Sequence, residues 1–123
     1  MVRIVIPIEH FQNQASRIFP HFGRAPLFAL VTLTKDKTIE DINPVQNKGE
    51  HFGGHGAAEA LAVNLNADAV IVKGMGPRGL QAFQEKGVEV FTGDINTVGE
   101  AVDAYIKGRL SALTEPCREA QHK

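Results

Sequence analysis

The chain has 123 residues, 43% of them hydrophobic and 22% charged, with a formal net charge of −1 and a single cysteine. That size and balance fit one domain with an ordinary soluble core. The near-neutral charge argues against a generic duplex nucleic-acid binder, the lone Cys117 rules out an internal disulfide, and no apolar run approaches the roughly 20 residues that a bilayer requires.

Val2–Ile8 is a continuous apolar run rich in β-branched residues, which reads as a central buried strand and not as a signal peptide. Pro7 cannot donate to a ladder, so pairing should weaken there. Residues 9–26 lack periodicity. Leu27–Leu33 and Thr38–Asn43 read as two further strands, and the polar turn Lys35-Asp36-Lys37 makes them an antiparallel hairpin. A glycine-rich loop, Asn43–Gly56, follows; loops of about 12 residues or more are uncommon in compact domains and are often functional.

Ala57–Asn66 places apolar residues at 57, 58, 61, 62 and 65, which is one face of a helix. Ala69–Val72 is a fourth strand. Pro77 suits the first turn of a second helix that carries Leu80 and Phe83 and stops at Gly87. Val88–Phe91 is a fifth strand. Thr97-Val98-Gly99-Glu100 matches a capping box and opens a third helix that turns Val98, Ala101, Val102, Tyr105 and Ile106 inward and ends at Gly108. The order β-β-β-α-β-α-β-α predicts a single mixed five-stranded α/β sheet flanked by about three helices, with a domain over 1–108 and a frayed tail over 109–123. Ligands of open α/β sheets sit beyond the carboxyl ends of the parallel strands, so 73–78 and 9–23 lie at the edge of interest.

Four constellations carry chemical potential. Lys73-Gly74-Met75-Gly76-Pro77-Arg78-Gly79 is a glycine-rich strand-to-helix turn with two cations and a helix start, which favours an anion. It is not a Walker A loop, and the letter match to GxGxxG lacks the acidic residue that a ribose site needs. A tight turn that holds nothing explains these residues equally well. His21-Phe22-Gly23-Arg24-Ala25-Pro26 offers an imidazole and a guanidinium in an irregular segment; alternatively Phe22 anchors the loop while His21 and Arg24 stay solvated. His51 and His55 stand four apart with Gly53-Gly54 between them, too few donors for a closed zinc site, although Glu50 is nearby. Cys117 alone cannot hold an iron–sulfur centre that needs about four thiolates, and it suits a reducing cytoplasm. No catalytic triad or carboxylate pair is legible.

Taken together, HFGRAP, the histidine-bearing segment before HGAAEAL, and DAVIVKGMGPRGLQAFQEKGVEVF resemble the dinitrogenase iron–molybdenum cofactor biosynthesis family over roughly residues 1–108. The resemblance implies a ribonuclease-H-like fold and a carrier, not an enzyme, for an anionic metal–sulfur cluster of Fe–S, Mo–Fe–S or Mo–Cu–S type. Such a guest brings its own sulfide. Members of the family use histidine, or hold a cluster without protein thiolates. Carried onto this chain, the implied binding set is His21, Arg24, His51, His55, Lys73, Gly74, Met75, Gly76 and Arg78. His21, His51 and His55 are the candidate direct ligands, and Met75 and Phe22 would shield sulfide faces. The implied partners are proteins that donate or accept the metallocofactor, with neither nucleic acid nor membrane involved, and the chain would be a monomer or weak oligomer in the cytoplasm.

Two other readings remain. One is an anion- or nucleotide-binding regulatory domain that uses the GMGPRG turn and needs no histidine. The other, a metal-dependent nuclease, is disfavoured because VRIVIPI supplies no carboxylate in the first strand.

Overall fold

The computed structural model describes residues 1–46, 62, 65–75 and 77–113, with the backbone alone for Pro77 and Arg78. β1 (Val2–Ile8) is buried on both faces from Ile4 onward, which is why its sequence is a run and not an alternation. It sits inside a six-stranded mixed sheet with the order β3-β2-β1-β4-β5-β6. β2 (Leu27–Leu33) pairs antiparallel with β1 and with β3 (Ile39–Gln46), while β4 (Ala69–Ile71) runs parallel to β1 and to β5 (Glu89–Thr92). The α/β class and the mixed sheet therefore match the sequence reading.

Each face of the sheet carries its own packing layer. On one, Ile4, Ile6, Ile8, Val31 and Ile71 meet Val98, Ala101 and Val102 of α2 (Val98–Ile106), with Tyr105 and Ile106 half-buried at its margin. On the other, Val5, Phe28, Val70 and Val90 meet Leu80 and Phe83 of α1 (Pro77–Glu85), together with Phe22, Met75 and Ala62. Most of the helix expected over Ala57–Asn66 lies outside the described residues, so two helices are described where three were expected. Ala62 is buried, and the Leu65 and Ala67 N–H groups donate to its carbonyl at 3.2 and 3.3 Å.

The hairpin turn closes as its residues suggest, with Lys37 at φ 64 and its N–H donating to Thr34 O at 2.9 Å. β3 runs past the expected end at Asn43, through Pro44 to Gln46; at the sheet edge a missing N–H costs no internal pairing. Pro7 acts on one side only. Its pairing with Phe28 of β2 persists, but pairing with β4 covers only Ile4 and Val5. Past that point residues 17–19 take the place of β4, with Ile8 bridged to Ile18 and the Phe19 N–H donating to Pro7 O at 2.8 Å.

The expectation of five strands with a frayed tail from residue 109 is corrected. Gly108, at φ 70, reverses the chain, and β6 (Ser111–Ala112) pairs antiparallel with β5. Leu110 packs against Gly93, where an added Cβ would come within 2.8 Å of it. Two small residues are too short a run to show periodicity, so nothing in the sequence announced this strand. Residues 114–123, Cys117 among them, lie outside the description. No helix among the described residues is long and apolar enough to cross a membrane.

α2 starts at the cap read from the sequence. Thr97 Oγ1 accepts from the Glu100 N–H at 3.2 Å, while the Glu100 carboxylate reaches one residue further back than expected and accepts from the Asn96 N–H at 2.8 Å. Replacing Thr97 with Ala should cost about 1 kcal/mol in urea unfolding; an unchanged midpoint would show that this cap contributes nothing.

Candidate functional site

The strand register gathers several chain segments at one edge. Ile8 at the end of β1 pairs with Leu27 at the start of β2, which pairs with Gln46 at the end of β3. β4 and β5 run parallel to β1, so their carboxyl ends face the same way. From this edge leave the 9–21 segment, the HFGR turn, the chain beyond Gln46, the turn after β4 and the Gly93–Thr97 connection. Of the histidine loop, Gln46 is the last described residue before residues 47–61; His51 and His55 lie outside the description, as do Gly76 and the side chain of Arg78.

The HFGR turn is a single 3₁₀ turn, Phe22–Arg24, with His21 extended before it and its carbonyl accepting from the Arg24 N–H at 3.2 Å. The structure shows the anchoring alternative for this segment. Phe22 is a core anchor, 3% exposed, with its ring centroid 5.0 Å from Phe28 and 5.5 Å from Phe83. His21 and Arg24 flank it and are exposed. The anchor decides where they stand: Phe83 belongs to α1, so the turn is pinned to the face of the sheet that α1 covers.

The glycine turn leaves β4 on that same face. Val72 N–H donates to Phe91 O at 2.9 Å, and Thr92 Oγ1 donates to Lys73 O at 3.2 Å, so β5 fixes the backbone as it turns. Lys73 is exposed, and its ammonium donates to Asn96 Oδ1 at 3.2 Å. Met75, 6% exposed, belongs to the same packing layer as Phe22. The expectation that Met75 and Phe22 offer a surface to sulfide is corrected: both face the core, because the two turns need anchors there, and they hold the site in place from beneath. Gly74 is different. It is not among the glycines at positive φ, and a Cβ there would meet none of the described residues within 4 Å, so they make no demand for glycine at this position.

On the opposite face of the edge, residues 12–18 form a strap over the start of α2. Ser16 O and Gln14 O accept from the Val98 and Gly99 N–H groups, each at 2.9 Å, and Ile18 N–H donates to Asn96 O at 2.9 Å. The N-terminus of α2 is thereby satisfied internally. Among the described residues, no three His, Cys, Asp or Glu side chains are grouped so as to hold a metal ion. Burial raises the Tyr105 phenol above its ordinary value, with Glu89 and Asp68 adding to the effect. Those two acids stand at the starts of β5 and β4, so this perturbed group belongs to the far end of the sheet. Thr92 and Asn96 are the residues that sequence reasoning missed. Neither lies in a motif; the nearest signal was the cap at Thr97.

Fold and edge together define a small three-layer α/β domain with His21, Arg24 and Lys73 set at the edge where the parallel strands end. The chain belongs to the dinitrogenase iron-molybdenum cofactor family, whose model matches residues 2–108. An uncharacterised protein of Methanocaldococcus jannaschii is 28% identical over 112 residues, covering 89% of this chain and 90% of its own. Among solved structures, the apo form of the orange protein from Desulfovibrio gigas is 25% identical with a TM-score of 0.80, covering 95% of this chain and 97% of its own. A Thermotoga protein classed with NifB is also 25% identical, with a TM-score of 0.76 and coverage of 97% and 99%.

Because Phe22 joins HFGR to α1, Phe22→Ala should destabilise the protein by about 3 kcal/mol. It should also release the turn, with faster amide exchange at Arg24 and Ala25. Retained protection of those amides in the variant would show that Phe22 does not position His21 and Arg24.

Proposed function

We propose that the protein is a carrier for an anionic metal–sulfur cluster, or its precursor, and works by binding and handing on its cargo without turnover. The observation that carries this reading is the shared anchoring of two polar turns. His21 and Arg24 on one, and Lys73 with Gly74 on the other, stand at one sheet edge because Phe22 and Met75 pack into one layer beneath them. Family membership and the likeness to the orange protein and the NifB-class protein support a role in cofactor assembly.

The donor set suits such cargo. An iron-, molybdenum- or copper-sulfide cluster arrives with sulfide ligands, so one imidazole bond and a few charges are enough to keep it, and no cysteine cage is needed. Arg24 and Lys73 offset negative charge. His21, with His51 and His55 of the following loop, supplies candidate direct bonds, and Arg78 and the Gly76 amide extend the anion-receiving turn. Gly74 lets a bulky guest approach the backbone, which accounts for a glycine that the described residues do not require. The strand order, with β1 between antiparallel β2 and parallel β4, supports the ribonuclease-H-like description. The nuclease reading stays disfavoured, since β1 carries no carboxylate. In this reading the partners are donor and acceptor proteins of the cofactor, and the site of action is the cytoplasm.

Anaerobic reconstitution tests the proposal. The chain should take up tetrathiomolybdate with copper(I), or iron with sulfide, and gain visible absorbance at a fixed metal-to-protein ratio. His21→Ala, Arg24→Ala, His51→Ala and His55→Ala should each reduce uptake; if all four bind as the unaltered chain does, the site is wrong. Should a phosphate or nucleotide stabilise the His51/His55 double variant as well as the parent, the regulatory reading takes its place. Gly74→Ala should leave the unfolding midpoint within about 0.5 kcal/mol while lowering uptake, and equal uptake would remove the steric argument.

A further inference from the structure

Lys73 is the cation that β4 delivers to the edge, and residues outside every sequence motif hold it there. Its ammonium donates to Asn96 Oδ1 at 3.2 Å, and its carbonyl accepts from Thr92 Oγ1 at 3.2 Å. Asn96 is itself fixed through its backbone: its N–H donates to Glu100 Oε1 at 2.8 Å, and its carbonyl accepts from Ile18 N–H at 2.9 Å. The side-chain amide of Asn96 is separate from these backbone bonds and faces Lys73.

Behind Asn96 the charge changes sign. A cleft of about 500 Å³ is lined by Asn96 together with Asp94, Glu100, Asp103 and Arg109, and Arg109 is paired to Asp103 at 3.0 Å. Asn96 thus stands on the boundary between a cationic edge and an acidic cleft. A neutral amide there accepts one ammonium proton, aims the group, and leaves its full charge and its other donors for a guest. A carboxylate in the same place would pair with Lys73 and carry the acidic field onto the edge.

We infer that Asn96 is the positioning residue for Lys73: it orients the ammonium toward a bound anion without neutralising it, and it marks where the anion site ends. This rests on the reading of the edge as an anion site. It deepens that reading by assigning selectivity for anionic over cationic guests to a residue outside the GMGPR and HFGR turns.

The test uses the full chain with tetrathiomolybdate as probe. Because the two backbone bonds of Asn96 survive substitution, Asn96→Ala and Asn96→Asp should keep the unfolding midpoint of the parent. Asn96→Ala should raise Kd roughly threefold, and should leave Kd unchanged when Lys73 is already Met. Asn96→Asp should raise Kd roughly tenfold and flatten its dependence on salt. In the ligand-free protein, the ¹⁵Nζ resonance of Lys73 should shift, and its protons should exchange faster with water, in Asn96→Ala. An equal loss of affinity with Lys73 or Met at position 73, or an Asp variant that binds like the parent, overturns the inference. An unchanged Lys73 ammonium resonance overturns it without any ligand. Failure of the unaltered chain to bind counts against the carrier reading instead, so the two can be told apart.

Discussion

A strand buried on both faces needs cover on both, and β1 imposes that requirement on the whole molecule. Its isoleucines face α2, and Val5 faces the layer under α1. Each residue buried there contributes on the order of 1.5–3 kcal/mol relative to exposure, which locks the register of both neighbouring strands. Once β1 is antiparallel to β2 and parallel to β4, the start of β2 and the ends of β1 and β4 share one edge. The HFGR turn and the glycine turn are far apart in sequence, and they meet because this register leaves them nowhere else to go.

The forces that build the edge differ from those that it presents. Beneath it lie aromatic contacts and the buried side chain of Met75. On it stand exposed His21, Arg24 and Lys73, and the Lys73–Asn96 hydrogen bond is itself exposed. Exposed polar pairs of this kind contribute about 0–1 kcal/mol to stability, so the fold draws little from these side chains. Ser16 and Gln14 serve the fold instead: their carbonyls satisfy the start of α2.

The parts of this arrangement that could be read from sequence follow from periodicity and end signals. β1, β2, the Lys35–Lys37 turn, the Thr97 cap and the glycine stops at 87 and 108 each carry a local physical signature. β6 carries none, since pairing of Ser111 and Ala112 is a consequence of the reversal at Gly108 and not of their own preference. HFGR was legible as a motif but ambiguous in role, and the ring contacts of Phe22 show that it anchors the turn to the core. Met75 was misread because a methionine in a turn looks the same on paper whether it faces solvent or core. Asn96 and Thr92 were invisible: a contact between residues 73 and 96 depends on the parallel pairing of β4 with β5, which no local pattern encodes.

Release is the harder half of a carrier's task, and it bears on why the edge is built without thiolates among its described residues. Several thiolate bonds would hold a cluster tightly, and transfer would have to break each of them. A site made of fixed cations, backbone donors and one or a few imidazoles divides the same affinity among weaker contacts that an acceptor can displace one at a time. In the proposed carrier, long-range attraction would still bring an anionic guest to the edge, and salt or a more strongly coordinating partner would take it away. Such a site would need accurate placement of its charges more than strong bonds, and under the proposal the double anchoring of Lys73 through Thr92 and Asn96 would supply that placement on residues that never have to touch the metal.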